Sequence, residues 1–198
     1  MEDLTRLIIS PERIENIKNN NLELSKEEAH YINKVMRIKN GKEIFIANGE
    51  GSLWKAIKLK NDCLNIIQLK NPYLFHKQEI YLLGIAVVIP KSGFEDILKM
   101  CTEIGIDFIQ PLFSERQVNK NLNLSRKLLR WNSIIKEAVE QSERLWKPSI
   151  LNAMDIIEWL KIRDNQERVS ISITRENTRY DLNQWLRKQK EFANKKGG

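Results

Sequence analysis

The chain has 198 residues, of which 41% are hydrophobic and 30% charged. That is enough apolar material for one substantial packed domain or two small ones, and it excludes a disordered chain. Two cysteines without C-x-x-C spacing and two histidines exclude a disulfide framework and a zinc cluster, and the net charge of +7 points to an acidic partner.

The N-terminus lacks the apolar core of a signal peptide, and the longest apolar run, Leu82 to Ile89, is too short to span a bilayer. A reducing cytoplasm is the expected home. Along the chain, Leu7-Ile8-Ile9 reads as a brief strand. Ser25 with Glu28 forms a capping box that opens a helix to about Ile38, stopped by Gly41. Glu43 to Ala47 and Leu53 to Leu59 flank Asn48-Gly49-Glu50-Gly51, a hairpin signal, and Leu64 to Leu69 supplies a further strand. Short strands around one helix predict a small β-barrel over residues 1–74.

The pattern changes after Asn71-Pro72-Tyr73. Ile80 to Ile89 is nearly continuous, β-branched and apolar, as a buried parallel strand is. Pro90-Lys91-Ser92-Gly93 ends it. Phe94, Ile97, Leu98, Cys101 and Ile104 follow at helical spacing, Gly105 closes the helix, and Phe108 to Phe113 is the next strand. This β-α-β unit predicts parallel pairing in an α/β domain over 78–198. Residues 117–129 read as a basic connection, and a long helix is expected from Arg130 to Trp146. Met154 to Leu160 reads as helix, Val169 to Thr174 as strand and Leu182 to Phe192 as helix.

Two basic zones concentrate the charge. Residues 34–60 hold seven Lys or Arg against two Glu, and residues 116–147 hold eight against three. At 100° per residue, Ala29, Ile32, Val35 and Met36 share one side of the first helix and His30, Lys34 and Arg37 the other. That cationic stripe faces either solvent or a partner. On the long helix, Arg130, Glu137, Gln141 and Arg144 form a polar wedge at the edge of an apolar face. They pair with one another or with a ligand, and Arg144 offers a planar fork suited to a phosphate or a base edge. No phosphate-binding glycine loop and no nucleophile–base spacing is present. The residues alone lead to an RNA-binding domain fused to an α/β domain.

Several segments resemble one family in their order. His30-x6-Arg37-x3-Gly41 followed by a strand and Asn48-Gly49 is similar to the "H…VLR…G…DG" stretch of the ribosomal RNA small-subunit methyltransferase E family. Lys91-Ser92-Gly93-Phe94-Glu95 resembles its "K-G-D/E" turn, and Thr102-Glu103-Ile104-Gly105-Ile106 its "T-E-L-G-V". Pro111 to Arg116 resembles "P-x-x-S-E-R-S", and Arg130-Trp131 through Glu137-Ala138, Gln141, Arg144 and Pro148 resembles "R-W…E-A-x-E-Q-x-x-R…P". The departures are small: Met36 and Ile104 stand for Leu, and Gln117 for Ser.

The resemblance implies a PUA-like barrel followed by a SPOUT-type α/β domain with a knot. It also implies an S-adenosyl-L-methionine-dependent methyltransferase of uridine N3 in 16S rRNA, acting as a homodimer without a metal. The family's "G-P-E-G-G" loop and later "L-G-x-R-I-L-R" segment have no counterpart here, so the knot segment and most of the donor site are expected to lie outside this chain. By this resemblance Gln141 and Arg144 are catalytic candidates, and Ile173 and Thr174 form one wall of the donor site. His30, Lys34, Arg37, Lys39, Arg116, Arg126, Arg130 and Arg144 are expected to contact RNA. The alternative is a non-catalytic RNA-binding or ribosome-assembly protein with the same basic zones.

Overall fold

In a computed structural model, the described residues are 5–114, 124–162, 169–170 and 181–196. The alternating pattern of the first 75 residues becomes a curled six-stranded half-barrel: β1 (Arg6–Ile8), β2 (Asn21–Glu23), β3 (Glu43–Ala47), β4 (Ser52–Lys58), β5 (Cys63–Ile66) and β6 (Leu74–Phe75). β1 lies parallel to β3, and the remaining pairs are antiparallel. A short helix, α1 (Pro11–Glu15), follows β1. The Asn48–Gly51 hairpin forms as expected, with the Asn48 carboxamide oxygen accepting from Glu50 N at 2.9 Å and Ser52 N at 3.0 Å.

Strand alternation sends side chains to two cores. Leu7, Ile9, Ile44, Ile46, Trp54 and Ala56 fill the concave interior with Ile32, Leu64 and Ile66. Their neighbours Ile8, Ala47 and Leu53 point the other way and join a second core with the helices of the α/β layer.

The helix after Ser25 carries the predicted capping box: the Ser25 hydroxyl accepts from Glu28 N, and the Glu28 carboxylate accepts from Ser25 N at 2.8 Å. It is α-helical only over α2 (Lys26–His30) and widens into a π-helical turn over Tyr31–Val35, closed by Met36 N donating to Tyr31 O at 2.9 Å. Each π residue advances less than 100°, so the expected apolar face loses phase. Ala29 and Ile32 are buried, whereas Val35 and Met36 are exposed.

The α/β layer holds β7 (Gly84–Val88), α3 (Phe94–Ile104), β8 (Phe108–Phe113) and α4 (Leu124–Gln141). β7 and β8 pair in parallel, Gly84 opposite Phe108 through Val88 opposite Leu112, as the crossover requires. The strand is shorter than the apolar run. Ile80 to Leu83 stay outside it and are exposed, and Val88 is also exposed, so β7 is not buried on both faces. Gly93 and Gly105 bracket α3 in left-handed conformations, as the glycine punctuation predicts.

α4 begins inside the segment read as a connection and ends five residues before Trp146. Glu143, at φ 56°, turns the backbone out of the helix. Trp131, Ile134, Ile135, Ala138 and Val139 form its buried face, and the Phe94 and Trp131 rings meet edge to face at 4.7 Å.

Residues 154–155, expected as helix, form β10 (Met154–Asp155), which with β9 (Ser149–Ile150) pairs in parallel with β8. The interruption between β9 and β10 falls opposite Gln110-Pro111. Pro111 has no N–H for a ladder, and the buried Gln110 amide donates instead to Asn152 O at 2.8 Å and Pro111 O at 2.9 Å.

The chain divides into two compact units at Ile156–Ile157. The second contains α6 (Leu182–Lys196), preceded by α5 (Ile156–Ile162). Asp181 caps α6 reciprocally with Gln184. The expected strand Val169 to Thr174 falls largely outside the described residues.

Candidate nucleic-acid interface

The first basic zone divides: Lys58 is buried and donates to Asn40 at 3.1 Å, while the cations around the first helix are exposed. His30 ends α2, Lys34 lies in the π-turn, and Arg37 and Lys39 follow it; all four are exposed. Arg37 sits at φ 54°, so its side chain leaves the helical path immediately after the turn. The π-turn thus places exposed Val35 and Met36 among the cations, a mixed apolar and basic face that a straight α-helix would not produce. Asn33, beside it, donates to Asp62 at 2.6 Å and ties this face to the β4–β5 connection.

The wedge predicted on the long helix separates into individual contacts. Arg130 forms a two-point ion pair with Glu95 on α3, its Nη2 donating at 2.8 Å. This pairing holds the Arg130 guanidinium above its ordinary pKa and the Glu95 carboxyl below its own. Glu137 accepts from Ser133 at 3.5 Å. Gln141 is exposed near the Tyr31 hydroxyl, which burial pushes up in pKa with help from the Glu140 and Glu137 carboxylates. Arg126 is exposed near the start of α4, about 20 Å of helix from Gln141. Arg116, Ile173 and Thr174 lie outside the described residues.

Arg144 is placed differently from all of these. It follows the left-handed Glu143, so it no longer obeys the helical arc of the wedge. Its guanidinium lies against Gly105, where a Cβ would overlap Nη1. Among the described residues it has no ion pair, and its Nε is buried without an acceptor. It lines a cleft of about 420 Å³ with Arg6, Leu74, His76, Glu143 and Trp146.

The cleft is assembled by backbone bonds between the hairpin tip and the segment after α4. Gly51 N donates to Leu145 O at 2.9 Å, Lys147 N to Gly49 O at 2.9 Å, and His76 N to Gly51 O at 2.8 Å. The Trp146 indole closes the set by donating to His76 O at 2.9 Å. Arg6, Leu74, His76 and Trp146 were not legible as site residues, because nothing in the spacing from 6 to 146 brings them together.

A second junction lies alongside. Glu140 accepts from Ile8 N at 2.8 Å, and burial pushes its carboxyl above the usual range against the pull of that bond and of Lys136. Lys147, half-buried, donates to Asn132 at 3.2 Å, and desolvation pushes the pKa of its ammonium down. A second cleft, of about 670 Å³, lies on the half-barrel beside Arg13, Glu23 and Cys63. Neither cleft lies at the carboxyl ends of β7 and β8, where an open parallel sheet holds its ligands. The two clefts therefore do not by themselves make a seat for a methyl donor. No helix among the described residues is long and apolar enough to cross a membrane.

Comparison with known proteins places this geometry. Residues 77–196 match the model of an RNA methyltransferase domain, and residues 24–57 that of an RNA methyltransferase PUA domain. The chain is 31% identical over 175 residues to the ribosomal RNA small subunit methyltransferase E of Synechocystis sp., covering 87% of this chain and 56% of that protein. It is 32% identical over 134 residues to the protein of the same name from Bacillus subtilis, covering 64% and 51%. The chain thus spans little more than half the length of these relatives.

Among solved structures, the ribosomal RNA small subunit methyltransferase E from Neisseria gonorrhoeae, bound to S-adenosyl methionine, superposes with a TM-score of 0.63 at 21% identity. It covers 82% of this chain and 66% of that one. A Legionella pneumophila protein solved with bound SAM gives 0.69 at 20% identity, covering 82% and 68%. At these identities the likeness carries the fold, a PUA-type half-barrel followed by a methyltransferase-type α/β layer. With the domain model matching well over half its length, the chain belongs to the RNA methyltransferase family.

Proposed function

We propose that this chain is the RNA-gripping part, together with some of the catalytic domain, of an S-adenosyl-L-methionine-dependent methyltransferase of 16S rRNA that acts on uridine N3 as a cytoplasmic homodimer. Beyond family membership, the observation that carries the reading is Arg144. It is a half-buried guanidinium without a counterion among the described residues, held at a cleft between the half-barrel and the α/β layer.

His30, Lys34, Arg37 and Lys39, with Arg116, Arg126 and Arg130, meet phosphates along the RNA. Gln141 and Arg144 meet the target nucleotide. Uridine N3 carries a proton of a weak acid, so methylation requires the base to be held as its anion or to lose that proton as the methyl group arrives. The nucleotide must also leave its stack before N3 is reachable. S-adenosyl-L-methionine supplies the electrophilic methyl group when bound. Ile173 and Thr174 contribute one wall of its site, and the described residues supply the RNA grip and its orientation.

The test is incubation with small ribosomal subunits and radiolabelled S-adenosyl-L-methionine, followed by nucleoside digestion. Label in N3-methyluridine is expected once this chain is extended to the full length of its relatives. Label in another nucleoside overturns the specificity. RNA binding without transfer, even when this chain is extended to the full length of its relatives, favours the assembly-protein reading.

A further inference from the structure

The strongest unassigned feature of the molecule is the cationic wall of the cleft between hairpin and helix. Arg6 lies on β1, and its side chain is only 9% exposed. Its Nη1 donates to Glu143 O, and its Nη2 stands 3.5 Å from the Glu143 carboxylate. That carboxylate is 65% exposed and therefore well screened by water. Arg6 Nε is buried with no acceptor, as is Nε of Arg144. Two guanidiniums thus line one cleft with one solvent-screened carboxylate, which is paired with Arg6. A desolvated cation is costly unless something negative compensates it, and desolvation already pulls the Arg6 pKa down.

The backbone commits the two arginines to this place. Arg6 is in register opposite Phe45 within the sheet. Arg144 is held against Gly105, the one residue type whose missing Cβ leaves room for it. The geometry is therefore preorganised before any ligand arrives, and the cleft is open to solvent beside His76 and Trp146.

We infer that the cleft lined by Arg6, His76, Arg144 and Trp146 is a subsite for one phosphodiester of single-stranded RNA, held chiefly by the Arg144 guanidinium, with Arg6, engaged by Glu143, adding its charge from behind. This rests on the RNA-binding reading above and narrows the role of Arg144 within it. A planar guanidinium with free terminal donors matches phosphate oxygens in a two-point fork. The subsite lies on the segment that follows α4, so a phosphate fixed there sets the register of the neighbouring nucleotide against the α/β layer. The competing role is structural: Arg144 also stands at the carboxyl end of α3, where a cation stabilises the helix dipole.

The experiment measures binding of the full 198-residue chain to a short labelled single-stranded RNA and to its abasic ribose–phosphate counterpart, across a salt series. Arg144→Gln is expected to weaken both complexes about tenfold and to make the log–log salt slope shallower by about 0.7, the loss of one phosphate contact on a single strand. Arg144→Lys should restore the slope but not the whole affinity. Arg6→Lys, chosen because a neutral residue at this buried position threatens folding, should weaken binding in the same sense, and melting temperatures should stay close to the parent's.

Wild-type affinity in Arg144→Gln, with a lowered melting temperature, makes the arginine a helix cap and overturns the subsite. A loss confined to the RNA with bases assigns the cleft to a base edge and overturns the phosphate. Lys34→Gln provides the separation from the broader reading. If it weakens RNA binding while Arg144→Gln does not, only the cleft inference fails. If the parent chain binds neither RNA, the RNA-binding reading itself fails.

Discussion

Gly51 shows how much one residue can carry. It sits at φ 90°, and a Cβ there would overlap the His76 carbonyl oxygen and press on the Trp146 ring. The left-handed backbone alone costs a larger residue about 1–3 kcal/mol, and the clash falls on the bonds that assemble the cleft. Gly51→Ala should lower the melting temperature and weaken RNA binding together, measured by thermal denaturation and anisotropy on the same sample.

Glu140 allows a pH prediction. Burial raises its folded pKa above the ordinary 4.5, with Ile8 N–H and Lys136 opposing. A carboxyl with a raised folded pKa contributes stability that is complete below its unfolded value and is lost as pH rises through the folded one. Glu140→Gln keeps an acceptor for Ile8 N–H and removes the desolvated charge. The variant should therefore melt higher than the parent at neutral pH, with the difference shrinking as pH falls toward 4.5. A difference that stays constant across that window would mean Glu140 is not the group responsible.

At the scale of elements, α4 is the beam on which scaffold and site are divided. Ile135 is fully buried among the residues shared by half-barrel and α/β layer. Ile135→Ala should cost about 2–5 kcal/mol by cavity formation, with RNA affinity falling only as far as the unfolded fraction requires. Replacing Lys34 and Arg37 together by Gln acts oppositely, because both are exposed on the π-turn segment. Folding should be unchanged, while RNA affinity falls and the salt slope flattens. Chemical denaturation and a salt-series titration on the two sets of variants separate packing from grip.

The whole first unit is one cooperative body by the logic of its core. Ile8, Ala47 and Leu53 come from the half-barrel, and they pack in one cluster with Phe94, Leu98, Ile135 and Val139 from the helices. The change of architecture near residue 75 is therefore not a break in packing. Trp54 reports on the half-barrel interior and Trp131 on α4. Single-tryptophan variants retaining one or the other should give coincident denaturation midpoints. Two separated transitions would show that the shared cluster does not couple the layers.

Much of this organisation was readable before any coordinates, where the signal is local. The capping box at Ser25, the Asn48–Gly51 turn, Gly93 and Gly105 around α3, and the crossover that makes β7 and β8 parallel all depend on neighbours within a few residues or on chain connectivity. The family motifs were legible for the same reason. What local pattern could not supply was phase and convergence. A π-turn shifted the second half of the first helix, so Val35 and Met36 surfaced. Glu143 ended α4 early, so Arg144 left the wedge that a continuous 100° rotation had drawn. Pro111 interrupted a strand pairing whose partner lies some forty residues away. Arg6, His76 and Arg144 meet only because the hairpin tip docks on the segment after α4 through backbone bonds, and backbone bonds carry no side-chain signature. The sequence by itself determined which elements form and what chemistry they bear. The tertiary structure alone decided which charges share a cleft, since that depends on contacts between residues more than a hundred positions apart.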